Sequence, residues 1–388
     1  MIPYSTQEID NKDIQSVIKV LKSKTISRGT KIDEFEKKFS KFTNSKYSLA
    51  INSATSGLHL ACKSLGIDNN SVVWVPANSF AATANCVRYC GARVDFLDIN
   101  LEDFNLDLEK LKTKLISAKK KNKSPQAIIP VHFCGNPYNQ KELFKLSKKY
   151  GFKIIEDASH AVGSLYEGKK VGSCKWSDIS VFSFHPVKIM TTGEGGMITT
   201  NNKKYYEKIK MLRSHGITRE KKFLKNKINE PWYYEQKTLG YNYWITDFQA
   251  ALGINQLKKV NQFVKKRNAI AKKYIESFKD ENILLQKVKK NFKSSYHLFV
   301  IRYEFINSRI QYSKIFKLFR KNGIGVNLHY LPIYWHPYYK RLGFKKGYCR
   351  NAEKYATTSF SIPIFTSLKP IQQKKIIAFV KKITKIKK

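Results

Sequence analysis

Over residues 47–200, short continuous apolar runs alternate with amphipathic stretches, and this constrains the fold more than any other feature of the chain. The runs are Tyr47–Ile51, Val72–Val75, Val94–Leu97, Ala127–Val131, Lys153–Glu156, Ile179–Phe182 and Met197–Thr200. They have the length of strands, and they are too uniformly apolar to leave one face in water. Helical patterns lie between several of them, near 56–65, 80–89, 107–119 and 139–149. Strands buried on both faces and separated by helices make a parallel sheet with helix layers on either side. The expected class is α/β: a mostly parallel central sheet covered by helices, followed by a smaller α+β C-terminal domain. Such sheets bind ligands beyond the carboxyl ends of their strands, so the residues just after each run carry the interest.

Thr30 opens an earlier helix, with Ile32, Phe35, Phe39 and Phe42 on one face. Beyond residue 200 the pattern changes. A long helix is expected from Thr246-Asp247 to about Ile270, then a strand at His297–Tyr303 and a helix at 312–322. The turn region Gly323–Pro332 and a last helix near 369–384 follow. A chain of 388 residues has room for roughly two domains. The expected division is a large domain over 1–255, with an N-terminal arm to about residue 28, and a small one over 256–388.

Charge is the outlier: 72 Lys and Arg face 29 Asp and Glu, a net +43. A polyanion partner is the first reading of such an excess. However, Lys far outnumbers Arg, and the lysines are spread along the whole chain rather than gathered on one element. A basic nucleic-acid-binding protein is therefore kept only as a remote alternative. Six cysteines, at 62, 86, 90, 134, 174 and 349, show neither C-x-x-C pairs nor zinc spacing; they read as reduced filler, and no metal site is expected. No run of about 18 apolar residues occurs, so no membrane span is expected. Met1–Asp10 lacks the basic and apolar regions of a signal peptide, which makes the cytoplasm the expected location.

Three strand ends carry chemistry. Asn52-Ser-Ala-Thr-Ser-Gly57 runs straight into a helix, and small hydroxylated residues at a helix start read either as an anion site or as a plain N-cap. In Ile154-Ile-Glu-Asp-Ala-Ser-His-Ala161, Asp157 stands where an apolar strand meets the ligand edge. It either caps a helix or holds a protonated nitrogen by a charge-assisted hydrogen bond. His160 reads equally as a ligand contact or a satisfied core histidine. In Val181-Phe-Ser-Phe-His-Pro-Val-Lys-Ile-Met-Thr-Thr-Gly-Glu-Gly-Gly196, a strand delivers Ser183 to the edge and Lys188 follows among apolar and small residues. A lysine whose pKa is lowered by burial or a neighbouring cation is poised to form a Schiff base with a carbonyl.

The order Asn52-Ser-x-Thr, Glu156-Asp-Ala-Ser-His-Ala, Ser183-Phe-His-Pro-Val-Lys188 and Thr192-Gly-Glu-Gly-Gly resembles the DegT-like sugar-nucleotide aminotransferases. These are fold-type-I enzymes using pyridoxal 5′-phosphate (PLP). The resemblance continues through Arg213-Ser-His-Gly216, Gly240-Tyr-Asn-Tyr, Asp247-Phe-Gln-Ala-Ala-Leu-Gly253 and His329-Tyr-Leu-Pro-Ile-Tyr-Trp-His-Pro-Tyr-Tyr339. Within the family, the Ser183–Lys188 box, the His-Tyr-x-Pro segment and Pro363 look most like the pseudaminic-acid branch. That branch aminates C4 of a UDP-linked 4-keto-6-deoxy-N-acetylhexosamine with L-glutamate as donor. The resemblance implies a catalytic Lys188 bonded to PLP, Asp157 on the pyridine nitrogen and His160 near the phenolic oxygen. It also implies Phe80 stacked on the ring, and Ala54, Thr55 and Ser183 at the phosphate. From the residues alone, Phe80 reads as core filling.

His329 and Tyr330 are expected in the cleft between domains as substrate contacts, against the alternative of a surface turn. The resemblance further implies a homodimer with shared sites, Asn242 reaching the partner's PLP phosphate. The family usually has Arg where this chain has Trp244. The dehydratase branch replaces the lysine by histidine, so Lys188 argues against it. A 3-keto sugar or another 4-keto sugar stays open as substrate.

Overall fold

All seven expected runs pair into one sheet, described in a computed structural model that covers residues 1–226, 228 and 230–385. Its strands lie in the order 47–51, 196–200, 179–183, 153–157, 127–128, 72–76 and 93–97. Every pairing is parallel except those of Gly196–Thr200, which runs antiparallel to both neighbours. Side chains alternate between faces, as the pleat requires. Val73, Val75, Ile155, Val181 and Ile198 enter one core with the helices Ala54–Ser64 and Ala82–Tyr89. Phe182 and Met197 enter a second, against the helix Thr30–Thr43, and Trp74 and Ile154 a third, against Leu108–Lys120 and Gln140–Tyr150. Two-sided burial is why these strands read as unbroken apolar runs.

The fourth run is shorter than its sequence pattern. Its ladder spans only Ala127–Ile128, because Pro130 has no N–H to give. Val131 still bridges to Asp157, and His132 N donates to the Asp157 carbonyl at 3.1 Å, so the segment keeps its line past the sheet edge.

The long helix runs from Asp247 to Phe278, opened by a capping box between Thr246 and Gln249. Val260 and Phe263 pack on the sheet's core, whereas Ala271, Tyr274 and Phe278 join a separate core. The expected division at 255/256 therefore falls inside a continuous helix. This separate core lies under an antiparallel sheet of Leu284–Leu285, Phe299–Arg302 and Ser359–Ile362, with helices Arg309–Lys321 and Pro370–Lys385. Residues 1–28, expected as an arm, contain a helix, Asn11–Leu21. Asp10 and Asp13 form its capping box, and Asp13 accepts from Gln256 Nε2 at 2.8 Å. Ile2 is hydrogen-bonded between Gly323 and Gly325, at 2.8 and 2.7 Å. All six cysteines are buried and free. Among the described residues, no helix is long and apolar enough to cross a membrane.

Candidate active site

A cavity of about 570 Å³ opens at the carboxyl ends of the parallel strands. Ala54, Thr55, Phe80, Asp157, His160, Ser183, Lys188, His329 and Tyr330 all line it. The sequence scatters these residues over most of the chain, and the strand order gathers them.

One end of the cavity is formed by a helix start. The Ser53 side chain caps the helix Ala54–Ser64 by accepting from Ser56 N at 3.2 Å, the N-cap reading of this segment. The helix start, with its partial positive charge, faces the cavity beside Ser183. Gly196 permits this packing. A Cβ there would lie 3.0 Å from Ala54 N and 2.6 Å from the Phe182 carbonyl oxygen.

The middle holds a carboxylate and an amine. Asp157 is 5% exposed; its Oδ2 accepts from Thr83 Oγ1 at 2.7 Å and its Oδ1 from Ser159 N at 3.1 Å. Ser79 Oγ, 2.7 Å from Thr83 Oγ1, steadies the pair. Burial pushes the Lys188 amine down to a pKa of about 8, and Asp157 pulls the other way. A neutral amine is thus available near neutral pH, which an ordinary lysine does not provide.

His160 Nε2 lies 3.3 Å from the Tyr330 hydroxyl, while its Nδ1 is buried without a partner. Burial, with the charges of Lys188 and His329, holds its pKa well below the imidazole range, so the ring is neutral. His329 is buried rather than part of a surface turn. Its Nδ1 is 2.8 Å from Ser361 Oγ, and burial lowers its pKa to about 3. Tyr330 N donates to Asn78 Oδ1 at 3.0 Å. Phe80 is not core filling: it is 60% exposed, its ring over the cavity 6.0 Å from that of Tyr330.

Two residues lie apart. Asn242 is exposed and outside the cavity lining. Trp244 is also outside, its ring 3.8 Å from the Arg213 guanidinium and 5.7 Å from that of Arg28. At the position where the resembled family usually has Arg, this chain has an indole that packs against two guanidinium groups. Sequence reasoning passed over Tyr4, Ser79, Thr83, His185, Glu194 and Asn327. Of these, only Ser79 and Thr83 had a local signal, being hydroxyls beside Phe80 at a strand end.

These groups fit PLP. A helix start would suit a phosphate, a buried carboxylate a protonated ring nitrogen, and an amine of lowered pKa an aldehyde. The unpartnered Nδ1 of His160 leaves one polar atom for a ligand to satisfy.

Comparison with known proteins bears on the family and the fold. The profile of the DegT/DnrJ/EryC1/StrS aminotransferase family matches residues 7–381. The UDP-4-amino-4,6-dideoxy-N-acetyl-beta-L-altrosamine transaminase of Campylobacter jejuni is 42% identical over 94% of this chain and 92% of its own. The PLP form of a putative sugar aminotransferase, Spr1654 of Streptococcus pneumoniae, superposes with a TM-score of 0.89 at 28% identity, covering 100% of this chain and 99% of that one. Helicobacter pylori PseC, an aminotransferase involved in the biosynthesis of pseudoaminic acid, gives 0.87 at 31% identity over 99% of both chains. With the fold, the cavity and the similarity in accord along nearly its whole length, the chain belongs to the DegT/DnrJ/EryC1/StrS family of PLP-dependent sugar aminotransferases.

Proposed function

We propose that this protein moves an amino group from L-glutamate to C4 of a UDP-linked 4-keto-6-deoxy-N-acetylhexosamine, in the biosynthesis of pseudaminic acid. The observation that carries this reading is the meeting, in one cavity, of an amine of lowered pKa, a buried carboxylate and a helix start. The 42% identity to the Campylobacter altrosamine transaminase supports the choice of sugar.

In this reading Ala54, Thr55 and Ser183 hold the phosphate. Asp157 accepts a hydrogen bond from the ring nitrogen, His160 faces the phenolic oxygen and Phe80 covers one ring face. When bound, the cofactor supplies the electron sink that lets an amino group leave one carbon and join another. Lys188 moves the proton: neutral Nζ takes it from the donor's α-carbon, and the ammonium so formed returns it. His329 and Tyr330 meet the sugar, where a neutral imidazole can accept a hydrogen bond from a hydroxyl without adding charge. The test is incubation with the UDP-4-keto sugar, PLP and glutamate, with the product identified by NMR. A 4-amino sugar is expected; amination at C3 would transfer the assignment to a 3-keto substrate.

The lowered pKa has a direct readout. Covalent capture of PLP needs the uncharged amine, whose share grows as pH rises. Capture by the apo-protein, followed by absorbance, should increase with pH through a midpoint near 8. At pH 7 that leaves about two orders of magnitude more free amine than a lysine in water. A midpoint near 10 would contradict it.

We infer also that two copies share their sites, Asn242 of one reaching the phosphate in the other. Its exposure outside its own cavity supports this, as do the half-buried aromatics Tyr241 and Tyr243 beside it. Mixed dimers of Lys188→Ala and Asn242→Ala should regain activity, since one of their two sites is then intact. Provided Asn242→Ala alone is crippled, no recovery in a verified mixed dimer would mean that both residues serve the same chain's site.

A further inference from the structure

The helices Leu108–Lys120 and Gln140–Tyr150 lie side by side over one face of the sheet. Their first turns are joined by Lys112, whose Nζ is 2.9 Å from Glu109 Oε1 and 3.2 Å from Glu142 Oε1. Their last turns meet at Tyr150, with Lys119 Nζ 5.9 Å and Lys149 Nζ 5.6 Å from its ring centre. Each helix precedes a parallel strand, starting at Ala127 or Lys153, so these last turns lie at the sheet edge opposite the active-site cavity.

Charge is divided along the pair. In the first halves every lysine has a carboxylate: Lys110 with Asp98, Lys112 with both glutamates, Lys114 with Asp95 and Lys141 with Glu167. Beyond them stand Lys119, Lys120, Lys121 and Lys123 at one helix end, and Lys145, Lys148 and Lys149 at the other. All seven are exposed, and none has an ion pair among the described residues. From Lys110 to Ile155 the chain has one acid, Glu142, and no arginine. The partial charge of about −0.5 at a helix end is answered by a single lysine, so most of these cations face water unbalanced.

An apolar side chain stands among them. Ile116 is 50% exposed, one turn before Lys119 and Lys120, and the half-buried Phe144 ring lies 4.9 Å from Lys148 Nζ. Lysines attract any polyanion, but a nucleic acid offers Ile116 nothing, and the planar arginine fork that suits phosphodiesters is missing. The headgroup layer of an anionic bilayer takes both groups, lysines at its phosphates and isoleucine at the acyl boundary. We propose that this patch docks the protein on a membrane surface of anionic lipids, leaving the active-site cavity open to water on the opposite edge.

The test is sedimentation of the full-length, PLP-loaded protein with vesicles of phosphatidylglycerol and phosphatidylcholine in equal parts, at physiological ionic strength. Binding is expected to these vesicles and not to phosphatidylcholine alone, and it should fade as salt is added. Each lysine near an anionic surface is worth about fivefold. The quadruple variant Lys119→Gln, Lys120→Gln, Lys148→Gln, Lys149→Gln should therefore lose about a hundredfold or more. Its melting temperature and its transaminase rate in solution should not change. A control of equal charge, Lys258→Gln, Lys265→Gln, Lys374→Gln, Lys375→Gln, all exposed positions, should bind like the parent. Ile116→Ser should weaken vesicle binding by about threefold or more and leave any affinity for duplex DNA as it was. Equal losses in the two quadruple variants would overturn the patch in favour of diffuse charge. No binding to the anionic vesicles, or no effect of Ile116→Ser, would overturn the membrane as its partner, and DNA binding in its place would hand the patch to nucleic acid.

Discussion

Lys188→Ala is expected to lose turnover almost completely while keeping its fold. Proton transfer by a positioned group alone is worth roughly 10²–10⁴-fold, or about 3–5 kcal/mol of barrier. The variant also loses its covalent hold on PLP. Removing this side chain leaves room at the cavity wall rather than a hole in a core, because Lys188 lines the cavity and is only half-buried. The melting temperature should therefore change little. Small primary amines added to the variant should restore part of the rate, by occupying the space that Nζ vacates. Comparable turnover without added amine would remove Lys188 from its proposed role; an unfolded variant would show no amine rescue at all.

Asp157→Asn should retain most cofactor binding and lose about 10²–10³-fold in rate, on the scale of a lost charge-stabilising contact in a dry site. The amide can keep the local hydrogen bonds. Its Oδ1 still accepts from Ser159 N, and the Thr83 hydroxyl can turn to accept from the new amide, because Ser79 stands ready to take its proton. What disappears is the negative charge that keeps the ring nitrogen protonated. A fall in single-turnover proton abstraction with near-parental PLP affinity is the expected pattern. An unchanged rate would mean that the electron sink works without Asp157.

The sheet was legible because burial on both faces leaves a continuous apolar trace in each strand, from Tyr47 to Thr200. The short 127–128 ladder was less so: Ile129 and Val131 have strand chemistry, and only the missing N–H of Pro130 ends the pairing. The helix Asn11–Leu21 escaped notice although Asp10 was a local cap signal, because Asp13 stands where Glu or Gln usually completes the motif. Asp157 and the 53–55 segment were legible because each stands at or just past a strand end, and Lys188 because it follows one within a run of apolar and small residues. Thr83, Asn78 and Ser361 were not, since their importance lies in the partners they meet: Asp157, Tyr330 N and His329. Phe80 shows the limit most clearly. Its neighbours Ala81 and Ala82 look like core, and only the path of the chain after Ser79 turns the ring towards open space.

The contacts of residues 2–5 have a consequence for the order in which the fold is completed. Ile2 is clasped by Gly323 and Gly325, the Tyr4 ring lies 5.1 Å from that of His329, and Ser5 Oγ donates to the Val187 carbonyl at 3.1 Å. Residues 2–5 thus find all their seats only after residues 323–329 have been synthesised. Closing so long a loop is among the slowest and entropically most demanding contacts a chain can make. A nascent protein would finish its central sheet early and stay open at one wall, with the opening segment unanchored. PLP offered to ribosome-bound chains truncated before residue 323 should therefore be held more loosely than by the released protein, and the chain gains its full grip on the cofactor only once residues 323–329 have emerged.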